Sequence, residues 1–146
     1  TSPPTVFKLS VAGLFHDIGK KEIPREILTK TRHDMSSEEI QILLSHPTRG
    51  REILESMKVL AGDVTQVVYD HHEECNGTGY PRGLRKNLIH PLARVVSVAN
   101  AFCNLAIKNP NSEGMSAMDA IKRLQSIEAG RLDNDVLTAV AKMLKI

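Results

Sequence analysis

The 146-residue chain has no tryptophan, and aromatic residues make up only 3% of it. Cores so poor in aromatic side chains are commonly aliphatic and helical, which argues against a β-sandwich or barrel. Two cysteines, Cys75 and Cys103, are too few and too far apart for a disulfide framework or a C-x-x-C metal site. A reducing, cytoplasmic setting is the expectation. No stretch approaches the roughly 18 consecutive apolar residues of a membrane span. The most apolar segment, 6–15, is interrupted by Lys8 and Ser10. Charge of one sign is also lacking: 19 basic against 17 acidic residues leave a formal +2, scattered rather than clustered. Duplex nucleic acid and membrane contact are therefore not expected. The balance, 41% hydrophobic and 25% charged, suits one soluble domain with its own core.

What the chain does carry is helical punctuation. Thr1-Ser2-Pro3-Pro4 reads as a break, after which a helical pattern covers 6–17 and is stopped by Gly19. Ser36-Ser37-Glu38-Glu39 is a capping box ahead of an Ile40, Leu43, Leu44 stripe. Pro47 predicts the start of another helix. Asp63 caps a segment expected to reach Glu73, with Val64, Val67, Val68 and His71 at helical spacing. Residues 74–90 lack periodicity and read as a loop. Pro91 restarts a helix with the stripe Leu92, Val95, Val96, Ala99 and Cys103, on which Cys103 is expected to be a buried small hydrophobe. Ser116 with Asp119, and then Asp133 or Asn134, open two further helices. No alternating strand pattern, repeat or low-complexity tract is found. The expected fold is all-α, a single helical bundle over residues 1–146.

The six histidines matter by position rather than number. His16 stands beside Asp17, His46 before Pro47, and His71-His72 after the valines, each at a predicted helix end. Taken singly, a histidine on an apolar face is more often a satisfied core residue. Taken together, helix ends can gather imidazoles and a carboxylate around one polar pocket. That ligand set suits Fe, Mn or Zn better than Mg or Ca, and can hold one or two ions. Lys20, one turn past His16, would offer charge to a phosphate oxygen. The loop Asn76-Gly77-Thr78-Gly79-Tyr80-Pro81 comes directly after the histidine pair. Its glycines would let backbone N–H groups approach a ligand, and Tyr80 offers a ring face or a hydroxyl. His33 and His90 read as surface residues.

His16-Asp17-Ile18-Gly19-Lys20, His46-Pro47-x-x-Gly50, His71-His72-Glu73 and Gly77-Thr78-Gly79-Tyr80-Pro81-x-Gly83-Leu84 together resemble the HD-GYP domain. Ile23-Pro24 and Ala93-Arg94 match in order and spacing, so the resemblance runs from about Phe7 to the C-terminal helix. It implies a bacterial, all-α, metal-dependent phosphodiesterase acting on cyclic di-GMP, usually as part of a longer signalling protein. It implies His16, Asp17, His46, His71 and His72 as metal ligands, with Asp17 and Lys20 beside the scissile phosphate. Gly79, Tyr80, Pro81 and Arg94 would belong to substrate binding, and the Gly79-Tyr80-Pro81 loop also to partner recognition.

The departures from that pattern are local. Asn100 stands where the family has a late aspartate ligand, Cys103 where it has a second aspartate, and Asn109 and Ser112 where basic residues grip phosphate. An amide oxygen can touch a metal but brings no charge. Upstream, none of the fifteen residues before His16 is a histidine or a carboxylate, although the family has ligands there. Two readings stand. One is a phosphodiesterase of weakened activity; the other is a catalytically degenerate module that binds a nucleotide or a signalling protein through its loop.

Overall fold

A computed structural model of the protein describes residues 2–58, 62–127 and 130–146. The paired prolines begin the first helix instead of breaking it. Helix α1 spans Pro3–Phe15 with proline in its first positions, where a missing N–H leaves no bond unmade. A 3-10 segment, Ile18–Glu22, leads to the short α2, Arg25–Leu28. A second 3-10 turn, Arg32–Asp34, precedes α3, Ser37–Leu44, and the capping box ahead of α3 forms as expected. Glu39 N–H donates to Ser36 Oγ at 3.2 Å, and Ser36 N–H donates to the Glu39 carboxylate at 2.9 Å.

Helix α4 covers His46–Met57 and α5 covers Gly62–Asp70. Helix α6, Pro91–Ala106, is capped by His90, whose Nδ1 accepts from Leu92 N–H at 3.2 Å. His90 is thus a capping residue rather than an idle surface one. Helix α7, Ala117–Ile127, and α8, Asn134–Met143, complete the chain, opened by Ser116 and Asp133 respectively. The fold is all-α: among the described residues there is no strand, only the isolated bridges Asn76–Arg85 and Asn109–Ser112. None of the described helices is long and apolar enough to cross a membrane.

Two buried clusters share α6. Ala12 from α1, Val64 and Val67 from α5, and Ala93 and Val96 from α6 make one; Val98 joins Ile121, Leu124, Leu137 and Ala141 from α7 and α8 in the other. Helix α6 is apolar all round except for the face carrying Arg94, Ser97, Asn100 and Asn104, so its periodicity cannot say which part of the wide apolar side is innermost. The structure places Ala99 and Cys103 at the surface, which corrects the expectation of a buried Cys103. They border an apolar groove of about 300 Å³ shared with Leu9, Gly13 and His16. Helix α5 also ends three residues early, leaving His71 and His72 in the turn beyond it.

One close backbone approach sets Asp17 against His46. The 3-10 segment Ile18–Glu22 lies so near the start of α4 that a Cβ on Gly19 would sit 2.0 Å from the His46 carbonyl oxygen and 2.6 Å from Gly50 N. Only glycine lets the two backbones meet there, and their meeting carries the Asp17 carboxylate to the His46 ring.

Candidate metal centre

Three histidines are oriented by the same local device. The Nδ1 atoms of His16, His46 and His71 each lie 2.7 Å from the carbonyl oxygen three residues back, at Gly13, Leu43 and Val68. A carbonyl can only accept, so Nδ1 carries a proton and Nε2 is the nitrogen left to face the site. The three Nε2 atoms converge on Asp17. His46 Nε2 and His71 Nε2 are 3.3 and 3.7 Å from Asp17 Oδ1, and His16 Nε2 is 3.3 Å from Oδ2. His46 Nε2 and His71 Nε2 face one another at 3.3 Å. His46 and His71 are 1% and 0% exposed, so water does not separate them.

Acceptors crowded this closely require positive charge between them. Asp17 Oδ1 is buried and accepts no hydrogen bond, which is costly for a carboxylate oxygen. Burial works against the Asp17 charge, yet the imidazoles of His16, His46 and His71 and the Lys20 ammonium hold its carboxyl well below the usual carboxylate range. Burial lowers the His71 pKa, and burial together with the neighbouring His71 and His46 lowers that of His72 further, so both rings are neutral and ligand-ready at pH 7. One ligand atom from each of Asp17, His46, His71 and His72 lies within 4.8 Å of the others. A divalent cation satisfies all of these groups together, and the nitrogen-rich donor set fits Fe, Mn or Zn. The cluster is built to hold a metal.

The comparisons agree with that geometry. A family profile described as an HD domain matches residues 1–136. A solved HDG"Y"P protein from Bdellovibrio bacteriovorus superposes with a TM-score of 0.82 at 28% identity, over 100% of this chain and 46% of that one. The chain belongs to the HD family, in its HD-GYP branch. The HD-GYP domain is 34% identical over 143 residues to a cyclic di-GMP phosphodiesterase of Pseudomonas aeruginosa, covering 98% of this chain and 34% of that protein. It is 32% identical over 135 residues to a 3'3'-cGAMP-specific phosphodiesterase of Vibrio cholerae, covering 92% and 31%. The chain thus spans about a third of the length of these curated relatives.

His16 is held on the outer side of this HD-GYP cluster. Its Nε2 addresses the other oxygen of Asp17, and that carboxylate raises the His16 pKa against the effect of burial. Lys20 lies beyond it, with Nζ 2.7 Å from Asp17 Oδ2. Asn100 borders two hollows, one containing His72 and the other, the apolar groove, containing His16.

The loop after the histidines is stapled to the site by the chain itself. A Cβ on Gly79 would meet Glu74 N at 2.3 Å and the His72 carbonyl oxygen at 2.5 Å, so its missing side chain serves backbone packing rather than ligand approach. Tyr80 N–H donates to the His72 carbonyl at 3.1 Å, and the Tyr80 ring stacks on the His72 ring at 4.7 Å and 16°. Burial pushes the Tyr80 phenol up, more strongly than nearby Arg32 draws it down, so the hydroxyl is neutral and able to donate. The buried Glu73 carboxylate accepts Arg82 N–H at 2.6 Å and Leu84 N–H at 2.7 Å. Each charge-assisted bond is worth about 1.5–3 kcal/mol. Glu73→Ala is therefore expected to lower stability in urea unfolding by about 3 kcal/mol or more and to loosen the His72–Tyr80 stacking.

Arg94, expected in the substrate-binding set, is engaged within the fold. Its Nη1 is 2.6 Å from Asp133 Oδ2, and the buried Asp133 carboxylate is completed by Lys86 at 2.9 Å. This guanidinium ties α6 to the start of α8 and does not line the cleft beside the imidazoles. Arg32 and Arg123 do line it, although the sequence offered no signal for either.

Proposed function

We propose that this HD-GYP domain is a metal-dependent phosphodiesterase acting on cyclic di-GMP, with turnover lowered by Asn100. The observation that carries this reading is the convergence of three imidazole Nε2 atoms on the half-buried carboxylate of Asp17, whose Oδ1 is itself buried. The names of the relatives from P. aeruginosa and V. cholerae support a cyclic dinucleotide as the substrate class. Their greater length supports a setting within a longer signalling protein, and the scarcity of cysteine a cytoplasmic one.

Asp17, His46, His71 and His72 would hold the ion, with His16 reaching it through the second oxygen of Asp17. A divalent ion in this place supplies Lewis-acid charge to a phosphoryl oxygen and to the attacking water. Around it, Lys20 keeps Asp17 ionised and offers its remaining N–H donors to a phosphate. The neutral Tyr80 hydroxyl, fixed by stacking on His72, can donate to a phosphate oxygen or a sugar hydroxyl. His72 is oriented between that ring and His71, whose centroid is 4.2 Å away, which restricts the imidazole to one pose.

After loading with Fe(II), Mn(II) or Zn(II), the purified protein is expected to hold one or two ions by mass spectrometry. Slow conversion of cyclic di-GMP should accompany this. Asp17→Ala should lower metal content roughly tenfold or more and remove turnover. Failure to take up metal under any loading condition overturns the assignment. The second reading, a degenerate module that binds nucleotide or a protein partner through the Gly79-Tyr80-Pro81 loop, is favoured by the neutral Asn109, Asn111 and Ser112 in the cleft. It predicts binding of cyclic di-GMP with no turnover even at full metal occupancy.

A further inference from the structure

Two adjoining clefts open beside the imidazoles. One, of about 370 Å³, contains Lys20, Arg32 and Tyr80; the other, of about 270 Å³, contains Asn100 and Arg131. Both are lined by His72 and by Arg123, which places the Arg123 side chain where the two meet.

The cations along this trough differ in their freedom to take an anion. Lys20 is 2.7 Å from Asp17, and Arg131 is paired with Glu74. The guanidinium groups of Arg32 and Arg123 have no carboxylate partner among the described residues. Arg32 is nonetheless fixed at its backbone, whose N–H donates to Asn111 Oδ1 at 2.8 Å and ties its turn to the neutral 109–112 loop. An unpaired guanidinium at a cleft wall is a planar fork matched to phosphate oxygens.

We propose that Arg123 and Arg32 form a phosphate subsite that holds the second phosphodiester of a cyclic dinucleotide while the first lies at the imidazole–carboxylate cluster. This rests on the function proposed above. A cyclic dinucleotide carries two phosphodiesters, and only one can occupy the cluster. The other needs positive charge outside the ligand set, where residues 109–112 bring none. Arg123 on α7 and Arg32 on the turn before α3 supply that charge from other elements of the fold.

The test is calorimetric titration of cyclic di-GMP into the protein as purified, with and without EDTA, at several salt concentrations. Arg123→Ala and Arg32→Ala are each expected to weaken binding about tenfold, the size of a lost charge-assisted bond. Both should flatten the dependence on salt, and Arg123→Lys should recover part of the loss. Both side chains are exposed, so the thermal midpoints should stay at the wild-type value. Wild-type affinity and salt dependence in the double variant overturn the subsite while leaving the proposed function intact. If the unmodified protein binds no cyclic di-GMP at all, the substrate class fails and the subsite falls with it.

Discussion

Gly19→Ala is expected to strip the protein of metal although residue 19 touches no metal. The methyl group would lie 2.0 Å from the His46 carbonyl oxygen and 2.6 Å from Gly50 N, and both obstacles are backbone. Residue 19 lies outside the left-handed region, so alanine meets no conformational penalty of its own and the whole effect comes from space. The Ile18–Glu22 segment must lift from α4, which separates Asp17 from His46 and opens the 3.3 Å approach on which the cluster depends. Overpacking costs about 1–3 kcal/mol, and two rigid neighbours put this site at the upper end. Displacing a supporting contact commonly costs about 10–100-fold in metal affinity. Competition with a chelator should show a loss of that size, while circular dichroism keeps its helical signal. Gly13→Ala is the matched control: nothing lies within 4 Å of its added Cβ, and an alanine inside α1 should leave metal uptake unchanged. Equal metal affinity in the two variants would remove the Gly19 contact from the account of the site.

That contact shows what the sequence can express and what it cannot. Gly19 reads in the sequence as a helix stop, but α1 ends at Phe15 and Gly19 lies inside the 3-10 segment that follows. Its deeper reason, the backbone of α4, lies in another part of the chain. The histidines were legible because each is set by its own turn: a ring whose Nδ1 reaches the carbonyl three residues back is positioned by local geometry. The capping box of α3 and the cap of α8 are local in the same way and formed where expected. Arg94 went the other way, since its partner Asp133 is 39 residues distant and nothing near Arg94 announces it. Helix α6 misled for a related reason. Its apolar side chains serve two clusters at once, so the end of the stripe at Ala99 and Cys103 was read as core and lies at the surface. Arg32 and Arg123 were silent because an unpaired cation gains meaning only from the cleft that the fold builds around it.

Asn100→Asp is expected to raise metal affinity about tenfold or more and to speed cyclic di-GMP turnover. Residue 100 borders both the cleft containing His72 and the groove containing His16, so a carboxylate there adds charge on both sides of the imidazole cluster. The swap is nearly isosteric. Asn104 Nδ2 already donates to the residue-100 oxygen at 3.3 Å and can do the same for aspartate. Without metal the substitution should cost stability. It places a negative charge at a half-buried position, and desolvating that charge costs free energy. With metal the sign should reverse, because an ion bound more tightly by the folded state stabilises that state further. A thermal midpoint slightly below wild type in EDTA and above it in Mn(II) or Zn(II) is therefore the signature. A midpoint lowered by the same amount in both conditions would place residue 100 outside the ligand set. The lowered turnover proposed above would then be assigned to the uncharged Asn109, Asn111 and Ser112, and restoring a basic residue at 109 or 112 would be the change expected to raise it.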